Sequence, residues 1–205
     1  MNSPDFKQPS KEEEGNKTER RSRSILHNLG FENFDELKGK KVLEIGSGDA
    51  EFGLTAKKNG VDIICSDIDS KYQKQAQSDG VDCVVVNALN TPFEDNSFDT
   101  ILSHGSVPII FNQREHVINT LKEMKRILKK GGEFRFGPTH LVAGALDLET
   151  LFSPGEEKTI SEEDNASRRR KRSLEVLRSF DPNITETVIN LDGIFPKLYY
   201  TMKKI

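Results

Sequence analysis

The chain is short of three things: cysteine, long apolar runs and an excess of charge of either sign. Only Cys65 and Cys83 occur among its 205 residues. They stand in separate apolar runs with no metal-type spacing. They read as small core residues of a reducing compartment, the cytoplasm, and no metal site or disulfide framework is expected. No apolar stretch reaches the roughly 20 residues that cross a bilayer. The N-terminal MNSPDFKQPSKEEEGNKTERRSRS lacks the apolar centre of a secretory signal. A formal net charge of −3 supplies no global field toward nucleic acid or an anionic membrane.

What the chain does have is enough length for one core, with 34% hydrophobic and 31% charged residues. Residues 1–22 are polar and read as a flexible arm, and 23–205 as a single domain. SRSILHNLGF reads as a short helix that stops at Gly30.

From Lys41 onward the punctuation is regular. KVLEI, VDIICS, VDCVVV, FDTILS and GEFRFG are short apolar runs of strand type. Helical stretches separate most of them, AEFGLTAKKNG and DSKYQKQAQSDG among them. The clearest is QREHVINTLKEMKRILKKGG, where Val117, Leu121, Met124 and Leu128 recur at helical spacing and Lys129 and Lys130 suit the helix C-terminus. Strands alternating with helices imply parallel pairing and right-handed crossovers. NITETVINLDGIFPKLYYTMKKI reads as two further strands turning at Asp192–Gly193, too close for a helical crossover and therefore antiparallel. Of Tyr199 and Tyr200, strand alternation puts one in the core and one at the surface.

The first strand runs straight into Gly46-Ser47-Gly48. In an open parallel sheet, ligands lie beyond the carboxyl ends of the strands, where the strand order reverses. Glycines there let the backbone come close to a ligand. The second strand ends at Asp67, about 20 residues on, where a carboxylate can accept from both ribose hydroxyls. Together these residues point to a nucleoside-containing ligand. A dinucleotide loop wants a third small residue where this chain has Glu51. An acid, one residue, then Gly-x-Gly fits better, as in Glu44-Ile45-Gly46-Ser47-Gly48.

VLEIGSGDAEFG, IICSDID, VNALNTPFEDNSFDTILSHG and LKEMKRILKKGGEFRF, in that order, resemble the class I S-adenosylmethionine-dependent methyltransferases of the plain methyltransferase-domain group. The resemblance covers about Leu37 to Phe136 and the closing hairpin. It implies an α/β, Rossmann-like, doubly wound fold with a seven-stranded, mainly parallel sheet and an antiparallel last strand, which agrees with the strand count above. It implies S-adenosyl-L-methionine as cofactor. By position, Glu44 would hold the ammonium of its methionine part, with Gly46, Ser47 and Gly48 as the close-approach loop. Asp67 would bind the ribose, Ile68 would pack on the adenine, Asn87 and Ala88 would sit at its edge, and Ser103 would floor the site near the sulfonium. Ala50 stands where a third glycine is common, and Asn87 where Asp is frequent.

His104 and His140 follow the fourth and fifth strands at the ligand edge and are candidate bases. Methyl transfer from a sulfonium needs positioning first and a base only for some acceptors. Residues 138–182 read as a variable insertion near the acceptor, beside the apolar SVPIIF after the fourth strand. The resemblance favours a small-molecule acceptor. An RNA or protein acceptor is the alternative, and RRRKR its one basic candidate, read here as a solvated helix face. A degenerate cofactor-binding module is the other alternative, and a nicotinamide oxidoreductase is disfavoured by Glu51.

Overall fold

The computed structural model describes residues 11–108, 114–140, 174, 177–189 and 197–205. RRRKR, most of 138–182, the Asp192–Gly193 turn and residues 109–113 of the apolar loop lie outside that set.

Helix α1 (Lys11–Asn28) precedes strand β1 (Lys41–Ile45), helix α2 (Glu51–Lys58), strand β2 (Asp62–Asp67), helix α3 (Ser70–Ser78) and strand β3 (Cys83–Val85). Strand β4 (Phe98–His104), helix α4 (Arg114–Ile127) and strands β5 (Leu128–His140), β6 (Thr185–Ile189) and β7 (Lys197–Lys203) follow. The seven strands among the described residues form one sheet, ordered β3-β2-β1-β4-β5-β7-β6. Strands β1 to β5 pair in parallel, and β7 runs antiparallel to both β5 and β6. The order reverses between β1 and β4, so the loops after these two strands open onto one crevice.

The two faces of the sheet are filled by alternation along each strand. Leu43, Ile45 and Ile101 pack with Val117, Leu121, Met124 and Ile127 of α4. Val42, Ile63 and Leu102 pack on the opposite side with Phe52 and Ala56 of α2 and with Leu26 and Leu29 of α1. Each fully buried side chain of this size contributes roughly 1.5–3 kcal/mol.

Three local features differ from the sequence expectation. The helix at the N-terminus begins at Lys11, well inside the span read as a polar arm. Before Ile25 it carries no apolar stripe, so periodicity could not find it. Its side chains are tied through polar pairs, such as Arg23 to Glu19 and Arg21 to Glu51. Helix α4 stops at Ile127, because Leu128 already pairs with Phe98 and Lys129 reaches Asp99 at 2.7 Å. Both tyrosines of the last strand are buried: Tyr200 stacks near Phe136, and Tyr199 lies where a Cβ on Gly30 would be. The turn after α1 covers the face that alternation leaves to solvent.

Among the described residues no helix is long and apolar enough to cross a membrane, and no cluster of His, Cys, Asp and Glu is arranged to hold a metal ion.

Candidate functional site

The loop after β1 is built by two glycines with different duties. Gly46 and Gly48 have φ of +74° and +55°, the left-handed region that glycine enters freely. A Cβ on Gly46 would collide with the Ser106 side chain from the loop after β4, whereas a Cβ on Gly48 would meet open space. The amides of Gly46 and Ser47 both donate to the Ser66 carbonyl, at 2.8 and 2.9 Å. The amide of Gly48 donates to Asp67 Oδ2 at 2.9 Å, and that of Asp69 to Asp67 Oδ1 at 3.0 Å. The loop is therefore strapped to the end of β2. Ala50, at φ +57°, takes the third glycine's place, and its methyl packs with Cys65, Ala76, Val81 and Cys83 in the core rather than into the crevice.

Glu44, the penultimate residue of β1, has only 5% of its surface exposed. Its carboxyl accepts from the Cys65 thiol at 3.3 Å and from the Gly53 amide. Burial is the main cause that pushes its pKa up to about 8, with the charges of Asp49 and Asp67 adding to the effect against the two hydrogen bonds. At neutral pH the ligand-free carboxyl is protonated, and a cation beside it would restore its charge. Burial, and then Glu44 itself, push the Cys65 thiol far up, so it is not a nucleophile.

These groups surround a crevice of about 220 Å³. Glu44 and residues 46–49 form one side, Glu51 and Phe52 of α2 and Tyr72 of α3 another, and His104 of β4 a third. Arg21 and Ile25 of α1 complete it from above. The structure thus brings Glu44, Gly46, Ser47, Gly48 and His104 into one crevice, with Asp67 joined through Gly48. Ile68, next to Asp67, is 71% exposed, which is rare for an isoleucine and leaves an apolar surface for a flat ligand at the crevice edge. Asn87 is exposed and spends Oδ1 on the Leu89 amide at 3.0 Å, while Ala88 is buried. Ser103 is fully buried, and among the described residues its Oγ has no hydrogen-bond partner. His140 ends β5 opposite Lys197, and its side chain is outside the described set.

Sequence reasoning missed Arg21, Ile25, Tyr72 and Asn28. Asn28 Nδ2 lies 3.0 Å from His104 Nε2, so α1 also orients the candidate base. Only the Ile25-Leu26-Leu29 spacing could have signalled that α1 packs on the domain.

Residues 43–136 match the family described as "Methyltransferase domain". Over 105 residues, 46% of the chain, the sequence is 33% identical to the demethylmenaquinone methyltransferase of Staphylococcus epidermidis. The match covers 41% of that protein, so the chain spans less than half the length of this relative. Over 100 residues it is 33% identical to the "Probable tRNA methyltransferase 9B" of Mus musculus, covering 48% of this chain and 22% of that one. A solved SAM-dependent methyltransferase from Methanosarcina mazei superposes with a TM-score of 0.59 at 18% identity, over 88% of this chain and 97% of that chain. At such identity the likeness shows a shared fold.

Proposed function

We propose, on the premise that the chain carries a class I S-adenosylmethionine-dependent methyltransferase domain of the type 11 group, that it transfers a methyl group from S-adenosylmethionine to a small-molecule acceptor. The observation that carries this reading is the tie between Gly48 and Asp67 beside the buried Glu44. It supports a reading in which Asp67 takes the ribose and Glu44 the ammonium on either side of one glycine loop.

The residues present fit that cofactor. Gly48 faces open space at positive φ, so the backbone can approach a ligand closely. Glu44, neutral when alone, would gain its charge against the methionine ammonium. Asp67 already spends one lone pair on each oxygen and keeps others for the ribose hydroxyls. Ile68 would cover one face of the adenine, Asn87 and Ala88 its edge, and Ser103 would stand below the sulfonium. When bound, the cofactor supplies an electrophilic methyl group on a neutral leaving group. The protein's part is then to hold the acceptor in line and to keep water out, which can account for much of such a rate. The Asn28 amide donates to the His104 Nε2 lone pair, so His104 would take a proton from an acceptor that must lose one only when that contact opens.

A small molecule is favoured by the demethylmenaquinone relative and by the apolar SVPIIF stretch that follows β4 in the sequence. An RNA acceptor is the second reading, favoured by the mouse relative and RRRKR. Calorimetry with S-adenosylmethionine and S-adenosylhomocysteine tests the cofactor. Tritium transfer from labelled cofactor to hydroquinones and other small nucleophiles, set against bulk tRNA, tests the acceptor. Transfer to tRNA alone would overturn the small-molecule reading. Cofactor binding with no transfer to either would leave a binding module.

A further inference from the structure

We propose that Asn28 is a positioning residue for His104: its amide caps the lone pair of Nε2 while the acceptor site is empty and yields it to an acceptor that must give up a hydroxyl proton. This rests on the methyl-transfer reading above and deepens it by naming the group through which the acceptor reacts. Asn28 Nδ2 lies 3.0 Å from His104 Nε2. An amide nitrogen only donates, so Nε2 accepts and the ring proton sits on Nδ1. Asn28 is the last residue of α1 and is buried, whereas His104 ends β4 and lines the crevice.

One piece of structure holds the two residues at this distance. Leu29 is fully buried, and the turn around it is closed by the Gly30 and Phe31 amides, which donate to the His27 and Leu26 carbonyls at 2.9 and 3.0 Å. Arg135 of β5 donates through Nη1 to the Leu29 and Gly30 carbonyls at 3.0 and 2.8 Å, and its guanidinium lies 3.8 Å from the centre of the Phe31 ring. In the β4–β5 ladder Arg135 pairs with Leu102 and Gly137 with His104. The strand pair that carries the imidazole therefore also holds the end of α1 that carries the amide. The cap opens by rotation of the Asn28 side chain, with no shift of the helix.

The chemistry of the cap selects the acceptor. A hydroxyl that takes the place of the amide exchanges one hydrogen bond for another, at little cost. An acceptor with no donor at that place would leave the ring nitrogen unsatisfied. Once seated, the hydroxyl loses its proton to Nε2; the O–H electron pair stays on oxygen, and His104 becomes an imidazolium. An amine needs no such partner, because it attacks with its own lone pair. The carboxylates of Asp49 and Glu51 in the same crevice also favour its unreactive ammonium form. The other ionisable groups sharing the crevice with His104 are Arg21 of α1, Glu44 of β1 and Tyr72 of α3; Gly137, its neighbour on β5, carries none.

The test reads His104 directly in the full chain, in Asn28→Leu and in Asn28→Asp, with His104→Gln to identify its signals. Nitrogen-15 NMR of the imidazole should place the proton on Nδ1 in the parent. It should move to Nε2 in Asn28→Asp, whose carboxylate accepts there and cannot donate. Diethylpyrocarbonate, which acylates an unprotonated imidazole nitrogen, should modify His104 about fivefold faster in Asn28→Leu, the loss of one hydrogen bond. His116 of α4 should react at an unchanged rate. Both Asn28 variants should bind S-adenosylhomocysteine within about twofold of the parent, since the crevice lining does not include Asn28. A parent with its ring proton on Nε2 overturns the inference. An unchanged His104 rate in Asn28→Leu overturns it as well, as does an equal rise at His116, which would mean that Asn28 only holds the fold together. Tritium transfer to small amines but to no phenol or hydroquinone also overturns it. A folded parent that binds no S-adenosylhomocysteine overturns the methyl-transfer reading itself.

Discussion

Gly53 of α2 rests directly on Cys65 of β2: a Cβ on the glycine would fall on the thiol sulfur. That same sulfur donates to Glu44 Oε2 at 3.3 Å. The close approach of α2 to the sheet is thus what closes the space around the site's buried carboxyl.

The contact reverses an ordinary rule of helix stability. Ala in a helix interior is favoured over Gly by roughly 1 kcal/mol. Here the added methyl overpacks a closed space, at a cost of about 1–3 kcal/mol, and the second effect wins. Gly53→Ala should lower the free energy of unfolding by about 1 kcal/mol in urea titrations. In a Cys65→Ala background, which vacates the space, the same change should be neutral or stabilising. A Gly53→Ala protein more stable than the parent would show that α2 has room to shift.

Glu44 gives the protein a pH dependence with a definite sign. Its pKa is raised by the fold from 4.5 to about 8, so between these values the native state holds a proton that the unfolded chain has lost. Stability from this group is full below the unfolded value and falls as pH rises through the folded one. Ligand-free protein should lose stability between pH 5 and pH 8, on the order of a few kcal/mol, and Glu44→Gln should flatten that slope. Thermal melts across this range measure it. Near pH 6.5, cofactor binding should release a proton from Glu44, visible as a binding enthalpy that varies with the buffer's ionisation enthalpy. The release should vanish in Glu44→Gln.

Asp67 has two duties, and two variants separate them. Asp67→Ala removes both the strap to Gly48 and the acceptor for the ribose, and should weaken S-adenosylhomocysteine by about 10- to 100-fold. Asp67→Asn retains one carbonyl oxygen for the Gly48 amide, so it should restore the melting temperature more fully than the affinity. Equal recovery of both would assign Asp67 to the loop alone.

Arg126 pins the stretch that follows Asn87 and Ala88. Its guanidinium bonds Glu123 at 2.7 and 2.8 Å, Asp95 at 2.6 Å and the Phe93 carbonyl at 2.8 Å, while Glu123 also takes the Thr91 amide and hydroxyl at 2.7 Å. Burial opposes ionisation of Glu123, but Arg126 and Thr91 outweigh it and hold its pKa below the ordinary 4.5. The stability it supplies is therefore present above that value and lost as pH falls. Arg126→Met, which leaves a buried carboxylate without its cation, should cost about 3 kcal/mol at pH 7 and less at pH 4. Urea titrations at the two pH values give the comparison.

Much of this arrangement was legible from local chemistry. The strand from Lys41 to Ile45 was readable to the residue because its apolar run is bounded by lysines and glycine. Asp67 was readable because its distance from the glycine loop follows from one helical crossover. The last two strands were readable because the seven residues between Ile189 and Lys197 are too few for a crossover helix. Helix α1 was only half legible: the part beyond Ile25 has an apolar spacing, and the part carrying Arg21 has none.

The order of elements, the glycine loop and the identity of the acids are properties of the sequence by itself, since short-range periodicity and backbone sterics determine them. Tertiary structure alone decided that Glu44 is protonated, that Arg21 lines the same crevice and that Tyr199 is buried on the face alternation leaves open. Each depends on what another element excludes from water, and desolvation is a property of the packed assembly of α1, α2 and the sheet rather than of any segment within it.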